Sequence, residues 1–312
     1  MERGRNIQTK QRDTISPSIK DIIRMKNILI FGVGLIGGSI ALKSKHTKLF
    51  KQVVAVERKN GTMLSPFVES GMLDHISINL ESDIANADLI VIATPVAQIY
   101  EILKKIYPFL KSNTVITDVG STKSNVMDDA TIALKEKLIQ FIGSHPIAGS
   151  EKHGPSSAVI DLFEGKNIIV TPPIKSPDFM KERVNQFWSA MGGHITVMTP
   201  QDHDEIFSTV SHLPHILAFS LVNLINDNKK KETLLNFAAS GFRDFSRIAA
   251  SSPEVWRDIS IANKDAILSD LKLYQNELIK ITDLIDNEDQ DGLKNYFTNA
   301  SSTRQSWVAK KN

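Results

Sequence analysis

Asn27 to Gly38, NILIFGVGLIGG, is the stretch that most narrows what this chain can fold into. Asn27 to Phe31 are mostly β-branched or aromatic and read as a buried strand. Gly32, Gly34 and Gly37 follow in the pattern G-x-G-x-x-G. Such glycines allow a tight turn, let backbone approach a pyrophosphate, and let a helix pack close to the strand. A helix is predicted over about Leu35 to Lys45. Its first N–H groups, those of Leu35 and Ile36 among them, and its partial positive charge would face that phosphate. Val53 to Val56 form a second apolar strand that ends at Glu57, twenty residues beyond Gly37. A carboxylate there accepts hydrogen bonds from an adenosine ribose. The plainer alternative is a glycine-rich turn in an α/β fold without a ligand.

The same alternation continues. Asp88–Ala93, Thr114–Val119, Asn167–Thr171 and Ile195–Met198 read as strands, with helical periodicity between them over some 170 residues. That pattern predicts an α/β, Rossmann-like, mostly parallel sheet covered on both faces. From Pro200 the strand signal stops and apolar residues recur at helical spacing. The expected organisation is a tail over residues 1–25, a dinucleotide-binding domain over 26–199, and an all-helical domain over 200–312. A long helix is expected over Ser260 to Ile285, and residues 301–312 are read as a loose tail. Helices of that length bury two faces only against neighbours, so an intertwined homodimer through the helical domain is expected.

The totals exclude several classes. A net charge of +2 predicts no strong attraction to nucleic acid or an anionic membrane. The chain has no cysteine, hence no disulfide, thiol nucleophile or Cys-ligated metal, which fits a reducing, cytoplasmic setting. The longest apolar run, read around Ile28 to Gly38, is too short to span a bilayer, and residues 1–25 lack the apolar core of a secretory signal.

Ligands of a doubly wound sheet bind beyond the carboxyl ends of its strands. Gly32 to Gly37, Glu57, Thr94-Pro95, Ser121 and His145 are therefore expected along one rim, with Thr94 and Pro95 as a wall for a nicotinamide ribose. His145, fixed by Pro146, is either a base that takes a hydroxyl proton or a histidine bonded to local backbone. Ser121 is a helix N-cap or a holder of His145 or a substrate hydroxyl. Glu151 is a surface carboxylate or a gate near His145. His203-Asp204 and His212-Leu213-Pro214-His215 read as metal ligands or, better, as pocket lining, because Pro214 distorts the helix and no sulfur ligand exists. No metal is expected. Arg243 and Arg247, one helical turn apart, are a solvated face paired with Asp244 or a clamp for carboxylates. Trp256-Arg257-Asp258 reads as packing.

Taken together, these segments resemble the prephenate/arogenate (cyclohexadienyl) dehydrogenase family of tyrosine biosynthesis. The resemblance is carried by Gly32–Ser39, by Asp118-Val119-Gly120-Ser121-Thr122-Lys123 and by Ser144-His145-Pro146-Ile147-Ala148-Gly149-Ser150-Glu151. It continues in Val210-Ser211-His212-Leu213-Pro214-His215, in Gly241 to Ala249 and in Trp256-Arg257-Asp258, covering residues 27 to about 285. It implies a dinucleotide-binding domain, a helical dimerisation domain and an active site between them. It implies oxidative decarboxylation, driven by formation of an aromatic ring. By motif, His145 takes the ring hydroxyl proton, Ser121 orients both, and Arg247 binds a substrate carboxylate; Arg243, one turn away, is the alternative clamp if Arg247 is not. His215, Ser150 and Glu151 shape the pocket. The resemblance leaves no room for a mutase or regulatory domain on 312 residues, so feedback by tyrosine would be competition in the pocket.

Cofactor choice turns on Glu57, which repels a 2′-phosphate and favours NAD. Arg58 and Lys59 adjoin it and accept that phosphate, hence NADP, if Glu57 turns away. Prephenate against arogenate stays open. The rivals are a related dehydrogenase acting on another hydroxy acid or an imine, and a nucleotide-sensing protein without catalysis.

Overall fold

The computed structural model describes residues 25–57, 64–149 and 154–309. The expected tail over residues 1–25 lies almost wholly outside them, as do Arg58, Lys59, Ser150 and Glu151.

The chain packs as two compact units. The first comprises residues up to His203 together with Ser252–Asp258, and the second Asp204–Ser251 and the residues from Ile259 onward. In the first unit, β1 (Asn27–Phe31), β2 (Gln52–Val56), β3 (His75–Ile76), β4 (Leu89–Ile92) and β5 (Val115–Asp118) form a parallel sheet in the order β3-β2-β1-β4-β5. The reversal of order beside β1 is the doubly wound arrangement, and it puts the ends of β1, β2, β4 and β5 on one rim. The two-residue edge strand β3 is too short to leave a period in the sequence.

Side chains on β1 alternate between two cores, as the pleat requires. Ile28 and Ile30 join Val53, Leu89 and Val91 on one face, under Ile40, Phe187 and Trp188. Leu29 and Phe31 join Val54, Ile90 and Ile92 on the other, under Ile84, Ile99 and Leu103. Burial of both faces is why β4 reads Leu-Ile-Val-Ile without a polar residue. The covering helices are α1 (Leu35–His46), α2 (Ser65–Glu69), α3 (Leu80–Asn86), α4 (Ile99–Ile106), α5 (Ser124–Leu134) and α6 (Asp178–Ala190).

A second sheet follows, with β6 (Gly143–Pro146) antiparallel to β7 (Asn167–Thr171) and β7 parallel to β8 (His194–Val197). It is joined to the first by a parallel bridge between Ile116 and Phe141, where Ile142 N–H donates to the Ile116 carbonyl at 2.8 Å. That junction carries β6, and with it His145, beside the end of β5.

Helix α7 (Pro200–Phe207) runs from the first unit into the second, which is helical: α8 (Leu213–Asn226), α9 (Lys231–Asn236), α10 (Ser240–Ser246), α11 (Pro253–Ala262), α12 (Lys264–Asp286) and α13 (Gln290–Ala309), α11 being shared between the units. Pro214 has no N–H to give to a helix, and the backbone absorbs it in a π-helical turn, Ser208–His212, just before α8. Two expectations are corrected. The long helix over Ser260 to Ile285 is broken at Asn263, whose φ of −112° and ψ of 33° leave helical space because its buried side chain bonds elsewhere. Residues 301–309 are no loose tail; they complete α13, where side chains such as Ser301 and Gln305 bond one turn apart.

Pro200–Asn226 is long and apolar enough to cross a membrane by length and composition, with a mean hydropathy of 1.3 over its most apolar window. It also holds buried His203, Asp204 and His212, which are polar, and only 17 % of that window is buried within the chain. The mostly buried core helix of a soluble protein meets the same test.

Candidate active site

Each glycine of the loop after β1 has its own reason to lack a side chain. Gly32 has a φ of +87°, and a Cβ on it would stand 2.7 Å from the Ala93 carbonyl oxygen, so it makes the turn. A Cβ on Gly37 would fall 2.0 Å from the Gly32 oxygen, so Gly37 lets α1 pack against the loop. Gly34 meets nothing within 4 Å, and its bare backbone opens onto the space beyond the strand ends. No side chain caps α1, so the first N–H groups, those of Leu35 and Ile36 included, have no capping acceptor. Thr94 Oγ1, next to Gly32, is buried without a partner among the described residues. A turn, an open approach, an uncapped helix start and an orphan hydroxyl together suit a pyrophosphate-containing dinucleotide. Pro95 lies exposed beside Thr94. Glu57 is at the end of β2, and its Oε1 accepts from Leu64 N–H at 2.9 Å, which orients the carboxylate.

The turn after β5 is held by a buried ion pair. Lys123 Nζ bonds Asp118 Oδ2 and also donates to the Ser144 carbonyl at 2.8 Å. Asp118 further accepts from Gly120 N–H at 2.8 Å and from Ser144 N–H at 3.1 Å. Thr117 and Ser144 hydroxyls meet at 2.8 Å. The turn bearing half-buried Ser121 is thereby tied to β6 at the residue before His145. Ser121 is not the N-cap of a helix: α5 begins at Ser124, after Lys123.

His145 is half-buried on β6, between two buried neighbours. Its Nδ1 lies 2.8 Å from Nε2 of His203, which is fully buried. The rings meet edge to face, with centroids 5.0 Å apart. His145 thus bonds a second imidazole rather than only local backbone.

In the second unit, Asn263 Nδ2 donates to the Asp204 carbonyl at 2.8 Å and lies 3.1 Å from His212 Nδ1. A carbonyl can only accept, so the amide nitrogen faces both groups, and His212 Nδ1 is the acceptor. This bond holds α7, the π turn and the break before α12 together. His215 Nδ1 donates to the Ser211 carbonyl at 2.8 Å, which leaves Nε2 of the neutral ring as an acceptor. Burial, then the positive charge of Arg247, hold His215 below the ordinary histidine range, against the opposing pull of the Ser211 bond. Arg247 opens the 3-10 turn after α10 and is exposed. Arg243 is exposed and sits 3.7 Å from Asp244, a solvated pairing. Arg257 pairs with its neighbour Asp258 at 2.6 Å while Trp256 is half-buried.

The structure therefore gathers Gly32, Gly34, Gly37, Glu57, Thr94, Ser121 and His145 on one rim, and gathers His215 and Arg247 in the helical unit. Asp118, Lys123 and Asn263 were not foreseen as site-building residues. An Asp closing an apolar strand five residues before a Lys was the available signal for the first two.

Two family models match the chain. One describes a prephenate dehydrogenase nucleotide-binding domain and matches residues 40–197, and the other a prephenate dehydrogenase dimerization domain and matches 199–299. Prephenate dehydrogenase of Bacillus subtilis is 37 % identical over 279 residues, 89 % of this chain and 75 % of the relative. Cyclohexadienyl dehydrogenase of Zymomonas mobilis is 31 % identical over 89 % of this chain and 95 % of its own length. Among solved structures, prephenate dehydrogenase from Aquifex aeolicus in complex with hydroxyphenyl propionate and NAD+ superposes with a TM-score of 0.84, at 32 % identity over 90 % of this chain and 98 % of that one. With both domain models matched in order and relatives above 30 % identity along most of its length, the chain belongs to the prephenate dehydrogenase family.

Proposed function

We propose that this protein is a cytoplasmic, homodimeric, NAD-dependent dehydrogenase that oxidatively decarboxylates prephenate, arogenate or both, in tyrosine biosynthesis. The observation that carries the reading is His145. It is a half-buried imidazole on the rim where the glycine loop opens, in a chain related along most of its length to enzymes of this name.

NAD, when bound, supplies the hydride acceptor for the ring carbon that carries the hydroxyl. Gly32, Gly34 and Gly37 with the N–H groups of Leu35 and Ile36 would hold its pyrophosphate. Glu57 would take the adenosine ribose, and Thr94 and Pro95 would line the second ribose. A carboxylate at Glu57 disfavours the 2′-phosphate of NADP. His145 Nε2 accepts the hydroxyl proton as the ring carboxylate departs as carbon dioxide, and returns it to the phenolic oxygen once the ring is aromatic. Ser121 orients the hydroxyl toward His145. Arg247 binds a substrate carboxylate, and neutral His215 beside it offers an acceptor rather than a second positive charge. Ser150 and Glu151 complete the pocket in this reading, and Arg243 serves solvent. Exposed apolar side chains on α12 and α13, among them Leu273, Leu278, Ile279, Phe297 and Trp307, support dimerisation through the helical unit. No metal, nucleic acid or membrane is part of the proposal.

The test is a matrix of prephenate and arogenate against NAD and NADP, read as reduced cofactor. Turnover of at least one acid with NAD is expected. Turnover with NADP alone would overturn the assignment of Glu57, and turnover only with another hydroxy acid or an imine would overturn the substrate class.

A further inference from the structure

His203 is a buried titratable side chain to which the proposed chemistry gives no task. It is 0 % exposed, and its Nε2 lies 2.8 Å from Nδ1 of His145. A neutral imidazole carries one N–H and one lone pair. Two neutral rings in this contact share one proton, so only two arrangements exist. Either His145 donates from Nδ1 and keeps a lone pair on Nε2, or His203 donates from Nε2 and forces the His145 proton onto Nε2. The second arrangement leaves His145 with nothing to accept a proton at its outer nitrogen.

We propose that His203 is a positioning residue that holds His145 in the Nδ1–H tautomer, so that Nε2 of His145 presents its lone pair to the substrate hydroxyl. This rests on the reading of His145 as the proton acceptor. The surroundings give the contact its leverage. Ser144 is pinned on both sides, its N–H by Asp118 and its carbonyl by Lys123, and Pro146 follows His145 in a buried strand. The backbone of His145 is thereby fixed, and ring rotation and proton position remain as its freedoms. The contact with His203 constrains both. When His145 takes a proton on Nε2, its Nδ1–H bond to His203 becomes charge-assisted and strengthens. In the resting ring the same bond is between neutral partners, so the contact favours the protonated stage.

The test uses the full-length protein with 15N-labelled histidine and long-range 15N–1H spectra, the His145 signals being those lost in His145→Asn. The expected wild-type spectrum has His145 protonated on Nδ1. His203→Leu removes the acceptor and His203→Gln restores one through its amide oxygen. In His203→Leu the His145 proton should redistribute to Nε2. Its kcat should fall by roughly 10- to 10⁴-fold, the upper end being the cost of a wrong tautomer in an imidazole base held by a buried partner. The Michaelis constants should stay within about threefold, and His203→Gln should regain at least about tenfold in kcat. A wild-type His145 protonated on Nε2, an unaltered kcat in His203→Leu, or no recovery in His203→Gln would overturn the proposal. The wild-type spectrum decides even if His203→Leu does not fold. Because the tautomer is read without turnover, it is separable from the base assignment, which would fail instead if His145→Asn kept full activity.

Discussion

Asp118 and Lys123 form an ion pair across the turn that carries Ser121, with side chains 0 % and 1 % exposed. Removing one partner of a buried pair leaves the other charge uncompensated, at a cost of about 3–5 kcal/mol. Lys123→Met should therefore lower stability in urea unfolding by about that much, and the double variant Asp118→Asn, Lys123→Met by less. A single variant within about 0.5 kcal/mol of wild type would show that the pair does not hold the turn.

Gly34 and Gly37 should separate nucleotide binding from folding. In Gly34→Ala the added methyl meets nothing among the described residues, but in the proposed reading it would stand where backbone approaches the pyrophosphate. Stability should stay within about 1 kcal/mol while the Kd for NAD rises by at least about tenfold. Gly37→Ala drives a methyl to 2.0 Å from the Gly32 oxygen and should cost about 1–3 kcal/mol in stability as well. Calorimetry with NAD and urea unfolding measure the two effects, and equal behaviour of the two variants would contradict the assignment.

Arg247→Ala should raise the substrate KM by roughly 10- to 100-fold with a smaller change in kcat, the loss of one charge-assisted carboxylate contact. Arg243→Ala, which removes an exposed pairing with Asp244, should leave both constants within about twofold. If the two variants exchange behaviour, Arg243 is the clamp.

His215 carries a pH dependence. Its folded-state pKa lies below the ordinary 6.5, because burial and Arg247 oppose its charge. The unfolded chain therefore binds that proton more readily, and the contribution to stability is complete above pH 6.5 and is lost as pH falls through the lower folded value. His215→Gln should flatten that part of a stability-against-pH curve. A curve with unchanged slope below pH 6.5 would remove His215 as its source.

The sheet was legible because burial on both faces forces apolar runs, as in Leu89–Ile92, and because Gly32 and Gly37 each answer a separate steric demand. The rim positions of Glu57, Thr94 and Ser121 follow from the parallel order of β2, β4 and β5, whereas His145 lies on β6, antiparallel to β7 in the second sheet. What the sequence hid were contacts between distant segments. Lys123 looked like the opening of a helix, yet its ammonium reaches back to Asp118 and across to Ser144. Asn263 looked like one position of a long helix, yet its amide is drawn to Asp204 and His212, 59 and 51 residues away in sequence. His203 stood out as a residue type, but local spacing could not show that its partner is His145, 58 residues away. Residues 301–309 carry a weak apolar period, and their helix is extended from Gln290 rather than announced by its own pattern.

The central claim is that one imidazole at the sheet rim receives the substrate proton, and His145→Asn tests it most directly. Asparagine keeps a similar volume and a hydrogen bond while losing the base, so turnover with NAD and the better of the two cyclohexadienyl acids should fall by about 10²–10⁴-fold. NAD affinity should remain within about twofold of wild type. A His145→Asn enzyme that reduces NAD at the wild-type rate would contradict the account.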